Sequence, residues 1–311
     1  MNMAIKKRQV SSLARAARMR RALVEQLAYL LHGAGAPAHR LEVTLAAVWI
    51  GTGGLQADLQ ILAQPTSILL AFGQGERQSV RVLRTAPGGL DLARLSDAEA
   101  LATLLASRKL SPADGLVRVA AARGMSPQWS RLATVACFGV ASATAAVLLG
   151  GAGAEAVVGG LGGLLAGLFG TSRVDDVRHA SALLSAVLAG LVAAVLMPYL
   201  GGGSALIATA AALIALVPGY TTTVGLTEVA TGHLASGTAR LASAAGSLLV
   251  LGFGVGLGGA IGGGFVGDIA QPVDSRFVEW ACVVVGGLAF GVVLGARPKD
   301  LGWVVAAGAL A

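Results

Sequence analysis

The chain has 311 residues, 55% hydrophobic and 13% charged, with a mean hydropathy of +0.74 and a formal net charge of +7. Soluble domains carry about a quarter charged residues, so this composition sets the chain apart from soluble enzymes and points to a polytopic α-helical membrane protein. The basic excess sits at one end: residues 1–131 hold 17 of the 23 Lys and Arg and 8 of the 16 Asp and Glu, while the remainder is net −2.

A basic part joined to apolar spans reads as the cytoplasmic side, where Lys and Arg accumulate, and not as a nucleic-acid surface, for which no motif is present. Cys137 and Cys282 both fall in apolar stretches, so neither a disulfide framework nor a metal site is implied. The first 30 residues start basic but hold no uninterrupted apolar core, so no cleavable signal is visible.

Residues 1–24 form a basic segment, read either as a surface helix on anionic lipid or as a solvated terminus. From Arg18 to Leu31 the spacing of Leu23, Leu27, Leu30 and Leu31 predicts a helix that ends at Gly33-Ala-Gly-Ala-Pro37. A second helix is predicted from Pro37, at its first turn, to about Ile50, with Leu41, Leu45, Val48 and Trp49 on its apolar face. His39, Arg40 and Glu42 lie in its first half, as a candidate soluble-domain site or as a structural ion pair. LQADLQIL, TSILLAF and SVRVLRT then read as three short strands by length and β-branching. Two helices follow, Asp91–Ser107 and Ser111–Arg123, the second with Ser-Pro and Asp114 at its start. Residues 1–130 are therefore a small α+β domain with a core of its own, lacking a phosphate loop, metal-ligand spacing or catalytic triad.

The apolar part predicts spans at 131–150, 153–171, 179–199, 203–218, 236–258 and 277–296, and the start of another at 301. Each is near the ~20 residues that cross a bilayer, although the fourth is short. With the basic domain inside, Arg173, Arg178, Arg240, Arg297 and Lys299 fall on the same side, and Glu155, Asp268 and Asp274 on the other, with Arg276. Gly159, Gly163 and Gly167 recur every four residues, as do Gly252 with Gly256 and Gly254 with Gly258. Small residues at that spacing let helices approach closely in lipid, as a sliding surface or as static packing.

One stretch breaks the apolar pattern. At Pro218-Gly219 a membrane-grade run stops, because proline removes a helical N–H and clashes with the preceding turn. Tyr220, Thr221, Thr222, Thr223, Thr227, Glu228, Thr231 and His233 follow. Broken helices beside hydroxyls and a carboxylate are what a small-solute site in a transporter requires; the alternative is a helix end at the interface, capped by threonines.

These motifs in their order resemble the threonine/serine exporter (ThrE) family over nearly the whole chain. Gly35-Ala-Pro-Ala-His-Arg-Leu-Glu42, Pro65-Thr66 and Phe72 are similar to its soluble module. Val217-Pro-Gly219, Gly232, Ser236-Gly237 and Arg240 are similar to its membrane motif, and Arg297-Pro-Lys-Asp-Leu-Gly-Trp303 to the entry of its second membrane module. Where the family has an asparagine and two acidic residues after Pro-Gly, this chain has Val224, Glu228 and His233.

The resemblance implies a non-enzymatic, multi-pass protein of the bacterial inner membrane, with its N-terminus cytoplasmic, exporting threonine and serine on the proton gradient without a bound cofactor. It implies a domain 1–130, a five-helix membrane module 131–258 with the Pro-Gly break, and the start of a second module at 259–311. In that frame Pro218, Gly219, Thr221, Thr222 and Thr223 hold the amino acid's polar head and Arg240 meets its carboxylate. Glu228 binds the ammonium or exchanges the proton, and His233 relays it. Other readings are a dicarboxylate exporter working with a partner subunit and a non-transporting membrane-anchored regulator. The apolar segment that ends at Ala311 implies a truncated chain or a partner that supplies the second module; the glycine repeats also suit a homo-oligomer.

Overall fold

The computed structural model describes residues 2–85, 89–174, 176–177, 180–265 and 275–310. Arg178, Asp268 and Asp274, which the sidedness argument used, lie outside the described residues. The chain divides into two compact units: one holds residues up to Ser126 together with Tyr220–Leu241, the other Pro127–Gly219 with Ala242 onward. Tyr220–Leu241, which the sequence places in the membrane module, thus groups with the N-terminal residues.

In the first unit, α1 runs unbroken from Asn2 to Gly33. The basic segment and the predicted helix from Arg18 are one element, because no glycine or proline interrupts residues 2–32. Leu23, Val24, Leu27, Leu30 and Leu31 are buried along its second half. Helix α2, Ala38–Gly51, buries Leu41, Leu45, Val48 and Trp49, the face expected from spacing. Pro37 stands one place earlier than predicted, as the extended N-cap (φ −62°, ψ 148°) and not as the first helical residue. The consequence is that the N–H of Ala38, in the first turn, has no intrahelical acceptor.

Strands β1 (Leu59–Gln64), β2 (Ser67–Phe72) and β3 (Ser79–Arg84) form an antiparallel sheet in that order, with Leu62 opposite Leu69 and Leu69 opposite Val82. The first strand starts later than its sequence pattern suggests: Gln56–Asp58 is a 3-10 turn, and the Trp49 indole N–H donates to the Leu55 carbonyl at 2.9 Å. Ala63, Ile68, Leu70, Phe72 and Leu83 face a core shared with α1, α2, α3 (Leu92–Ala106) and α4 (Pro112–Arg123). Asp91 and Ser111 accept the N–H groups of Arg94 and Asp114 at 3.0 and 3.2 Å, capping α3 and α4.

The second unit contains α5 (Arg131–Leu148), α6 (Gly153–Gly170), α7 (Ser181–Leu196), α8 (Ala205–Ala212), α11 (Arg276–Val293) and α12 (Leu301–Leu310). Two further helices, α9 (Gly219–Ala230) and α10 (Leu234–Ile261), pass from one unit's residues to the other's. Among the described residues five helices are long and apolar enough to cross a bilayer, or six if the bent pair around residue 213 is one span. This is a multi-pass membrane protein.

The predicted fourth span is not one helix. Helix α8 ends after eight residues, Ile214–Leu216 form a 3-10 turn, and Val217 is extended at ψ 126° before α9 resumes at a 46° bend. The Pro218 ring clashes with a helical residue before it, which holds Val217 out of the α region.

The glycine repeat on α6 lies at close helix contacts. A Cβ at Gly163 would stand 2.7 Å from the Phe138 carbonyl oxygen, and one at Gly167 3.1 Å from the Val135 Cα. Of the two repeats on α10, Gly254 and Gly258 face α7, whereas a Cβ at Gly252 or Gly256 meets nothing within 4 Å among the described residues. Glu155, read from sequence as a loop charge, is 1% exposed. Its carboxylate accepts the N–H groups of Ala152 at 2.9 Å and Ser204 at 2.8 Å, tying the start of α6 to the start of α8.

Candidate functional site

The first unit gathers ionisable side chains around a helical hairpin. Gly232 in the left-handed region (φ +85°) ends α9, and the His233 N–H returns to the Glu228 carbonyl at 2.8 Å. Helix α10 then runs back along α9 at close range, because Gly237 has no side chain: a Cβ there would sit 2.7 Å from both the Gly225 carbonyl oxygen and the Val229 nitrogen. Ser236 and Arg240 are four residues apart on α10 and so share the face turned to Glu228.

Glu228 is completely buried. Its Oε2 accepts the Ser236 hydroxyl at 2.6 Å, and the Arg240 Nε–H lies 3.1 and 3.2 Å from its two oxygens. Its Oε1 also accepts the Ala38 N–H at 2.7 Å, from a residue 190 positions away. The Arg240 side chain is 11% exposed, so the two form an ion pair largely removed from solvent.

A second set lies beside the first. The Glu42 carboxylate accepts the Ala63 N–H at 2.8 Å and pairs with His233 Nε2 at 3.3 Å. His233 Nδ1 is 3.2 Å from the Thr231 hydroxyl, and the His39 ring centroid is 6.2 Å from that of His233. His39 Nδ1 is buried with no hydrogen-bond partner among the described residues. The Tyr220 hydroxyl donates to the Gly35 carbonyl at 2.6 Å, fixing the turn that precedes α2. The motif Gly35–Glu42 and the hairpin after Tyr220 therefore make one constellation.

Of the residues chosen from sequence, His39, Glu42, Glu228, His233 and Arg240 come together. Arg40 does not: it pairs with Glu99 at 3.0 Å, largely exposed. Thr221 and Thr222 are half-buried and Thr223 exposed on the first turns of α9, where the Thr223 carbonyl accepts the Thr227 hydroxyl at 2.9 Å. Pro218 and Gly219 belong to the second unit. Sequence reasoning missed Ser236 and the Ala38 N–H as partners of Glu228; the i, i+4 spacing of Ser236 and Arg240 was the available signal. Glu228→Gln is expected to destabilise this unit. It would leave the buried Arg240 guanidinium without its counter-charge, and unpaired buried charges are costly.

His32, in the last turn of α1, is a further buried titratable group. Its Nε2 lies 3.1 Å from the Gln64 carbonyl oxygen, and its Nδ1 has no hydrogen-bond partner among the described residues. Burial pushes the imidazole below its ordinary value, partly opposed by the Gln64 carbonyl. The unfolded state therefore binds more protons than the folded state once pH falls below about 6.5. Stability of this unit is expected to be full above that pH and to fall progressively below it. Thermal unfolding at a series of pH values checks this, and His32→Gln should flatten that part of the profile.

In chemical terms the constellation offers a guanidinium, two carboxylates, two imidazoles and the hydroxyls of Tyr220, Thr231 and Ser236. No group of three or more His, Cys, Asp or Glu that could hold a metal ion occurs among the described residues. No curated protein and no solved structure matches the chain. A family model does match, over residues 22–262, and its description is "Putative threonine/serine exporter". Its span includes both halves of the constellation, from α1 through the end of α10, and the chain is therefore a member of the ThrE family.

Proposed function

We propose that this protein is a secondary active exporter of threonine and serine, coupled to the proton gradient across the inner membrane, with the first unit on the cytoplasmic side. The family supports the solute class. The observation that carries the reading further is the buried Glu228–Arg240 pair, because a desolvated acid and base side by side match the two charges of a zwitterionic amino acid. The neighbouring His233–Glu42 pair sets an imidazole against a carboxylate, the kind of pairing a proton relay uses. Thr221, Thr222 and Thr223, on the first turns of α9, are further candidates for the polar head of the solute.

Counterflow of labelled threonine in proteoliposomes tests this. Uptake is expected with serine as the trans load, and an imposed pH gradient is expected to drive net flux. Exchange with succinate in place of serine would replace the reading with a dicarboxylate exporter. Absence of flux from folded protein would favour a regulator.

A further inference from the structure

The Glu228 carboxylate sits in a ready-made carboxylate site. Three donors of different origin converge on it: the first-turn N–H of α2 at Ala38, the Ser236 hydroxyl and the Arg240 Nε–H, at 2.7, 2.6 and 3.1–3.2 Å. A helix N-terminus, a hydroxyl and a guanidinium are the donors that suit a small carboxylate, through the helix dipole and charge-assisted hydrogen bonds. An Arg–Glu pair alone needs none of the rest. The Ala38 donor in particular comes from α2, which Tyr220 holds at its entry turn.

We infer that Glu228 is an internal ligand, occupying a site for the α-carboxylate of the solute, and that the amino acid enters by displacing it. This rests on the exporter reading. On exchange, the solute's carboxylate takes the Ala38, Ser236 and Arg240 donors, and the released Glu228 carboxylate takes the ammonium. The charges then alternate as guanidinium, solute carboxylate, solute ammonium and Glu228 carboxylate. The site is neutral before and after, so no net charge is buried by binding. A dicarboxylate would bring two negative charges to a site that already holds Glu228 and has one guanidinium, which selects for zwitterions. His39, with an unpartnered Nδ1, and His233 with Glu42 flank the site on the α2 side, where they provide polar partners for a side-chain hydroxyl.

Two arms test the inference in the full chain in detergent. In the first, labelled threonine bound to the wild-type protein is competed with serine, threoninol and succinate. Serine is expected to compete, while threoninol, which lacks the carboxylate, and succinate should be weaker by about tenfold or more, the factor set by losing hydrogen bonds to a charged group. Threoninol competing as well as serine would overturn the assignment. In the second, Glu228→Ala vacates the site, and saturating formate is expected to raise the thermal stability of this variant but not of wild type, with chloride at equal ionic strength as control. A folded Glu228→Ala protein indifferent to formate would also overturn it; if the variant does not fold, the first arm decides. The formate response needs no flux, so failure of the inference and failure of the exporter reading are separable.

Discussion

Arg240→Ala is expected to destabilise the first unit by about 3–5 kcal/mol, the range for breaking a buried ion pair by removing one partner. The size follows from where Glu228 lies. With no exposed surface and Arg240 as its cationic partner, its charge would be left, among the described residues, with the Ala38 N–H and the Ser236 hydroxyl. Arg240→Lys should recover only part of the loss, because an ammonium cannot reproduce the Nε contact to both oxygens. The double replacement Glu228→Leu with Arg240→Met should be more stable than either single change, since removing both charges also removes their desolvation cost. Thermal or denaturant unfolding of the four proteins completes the cycle; additive losses would mean that the pair is not coupled. Transport should be lost in all the variants that lack the guanidinium.

Gly258→Ala on α10 is the second large expected effect. A Cβ at this position would overlap the backbone of α7 at Val187 and stand 2.8 Å from the Leu191 nitrogen, so relief requires two helix backbones to separate. Facing it, Gly190 on α7 would place a Cβ 2.5 Å from the Val255 carbonyl oxygen. In lipid, helices associate largely through such close packing, and overpacking of this kind costs about 3 kcal/mol. Gly256→Ala, on the open side of the same helix, is expected to change stability by less than about 0.5 kcal/mol, as surface replacements do. Thermal unfolding in detergent compares the two, and equal effects would mean that α7 and α10 do not pack closely at Gly258.

The contrast between Gly258 and Gly256 marks how far the sequence could be read. Both pairs of glycines had the four-residue spacing of a helix contact, and periodicity alone cannot say which face of α10 meets a neighbour. Elsewhere local chemistry was enough. The helix start at Ser111, the apolar face of α2 and the break at Pro218-Gly219 are effects of residues on their immediate neighbours, and the structure has each of them. The apolar stretches likewise placed the membrane-grade helices close to their observed bounds, because the length needed to cross a bilayer is fixed by the bilayer.

Local chemistry misled where a distant partner decided the outcome. Glu155 looked like a loop charge because it stands between two apolar runs, but two backbone N–H groups, one of them at Ser204, hold it inside. Arg240 counts by sequence only as one of the basic residues assigned to one side, whereas in the structure Glu228 from the preceding helix pairs with it.

The sequence by itself determined a multi-pass membrane protein with a basic α+β part and a polar break after Val217, since hydropathy, periodicity and proline act within a few residues. Only the tertiary structure decided that the α2 N-terminus and the α9–α10 hairpin form one site, because that depends on an Ala38 N–H that no side chain advertises and a Glu228 carboxylate 190 residues later.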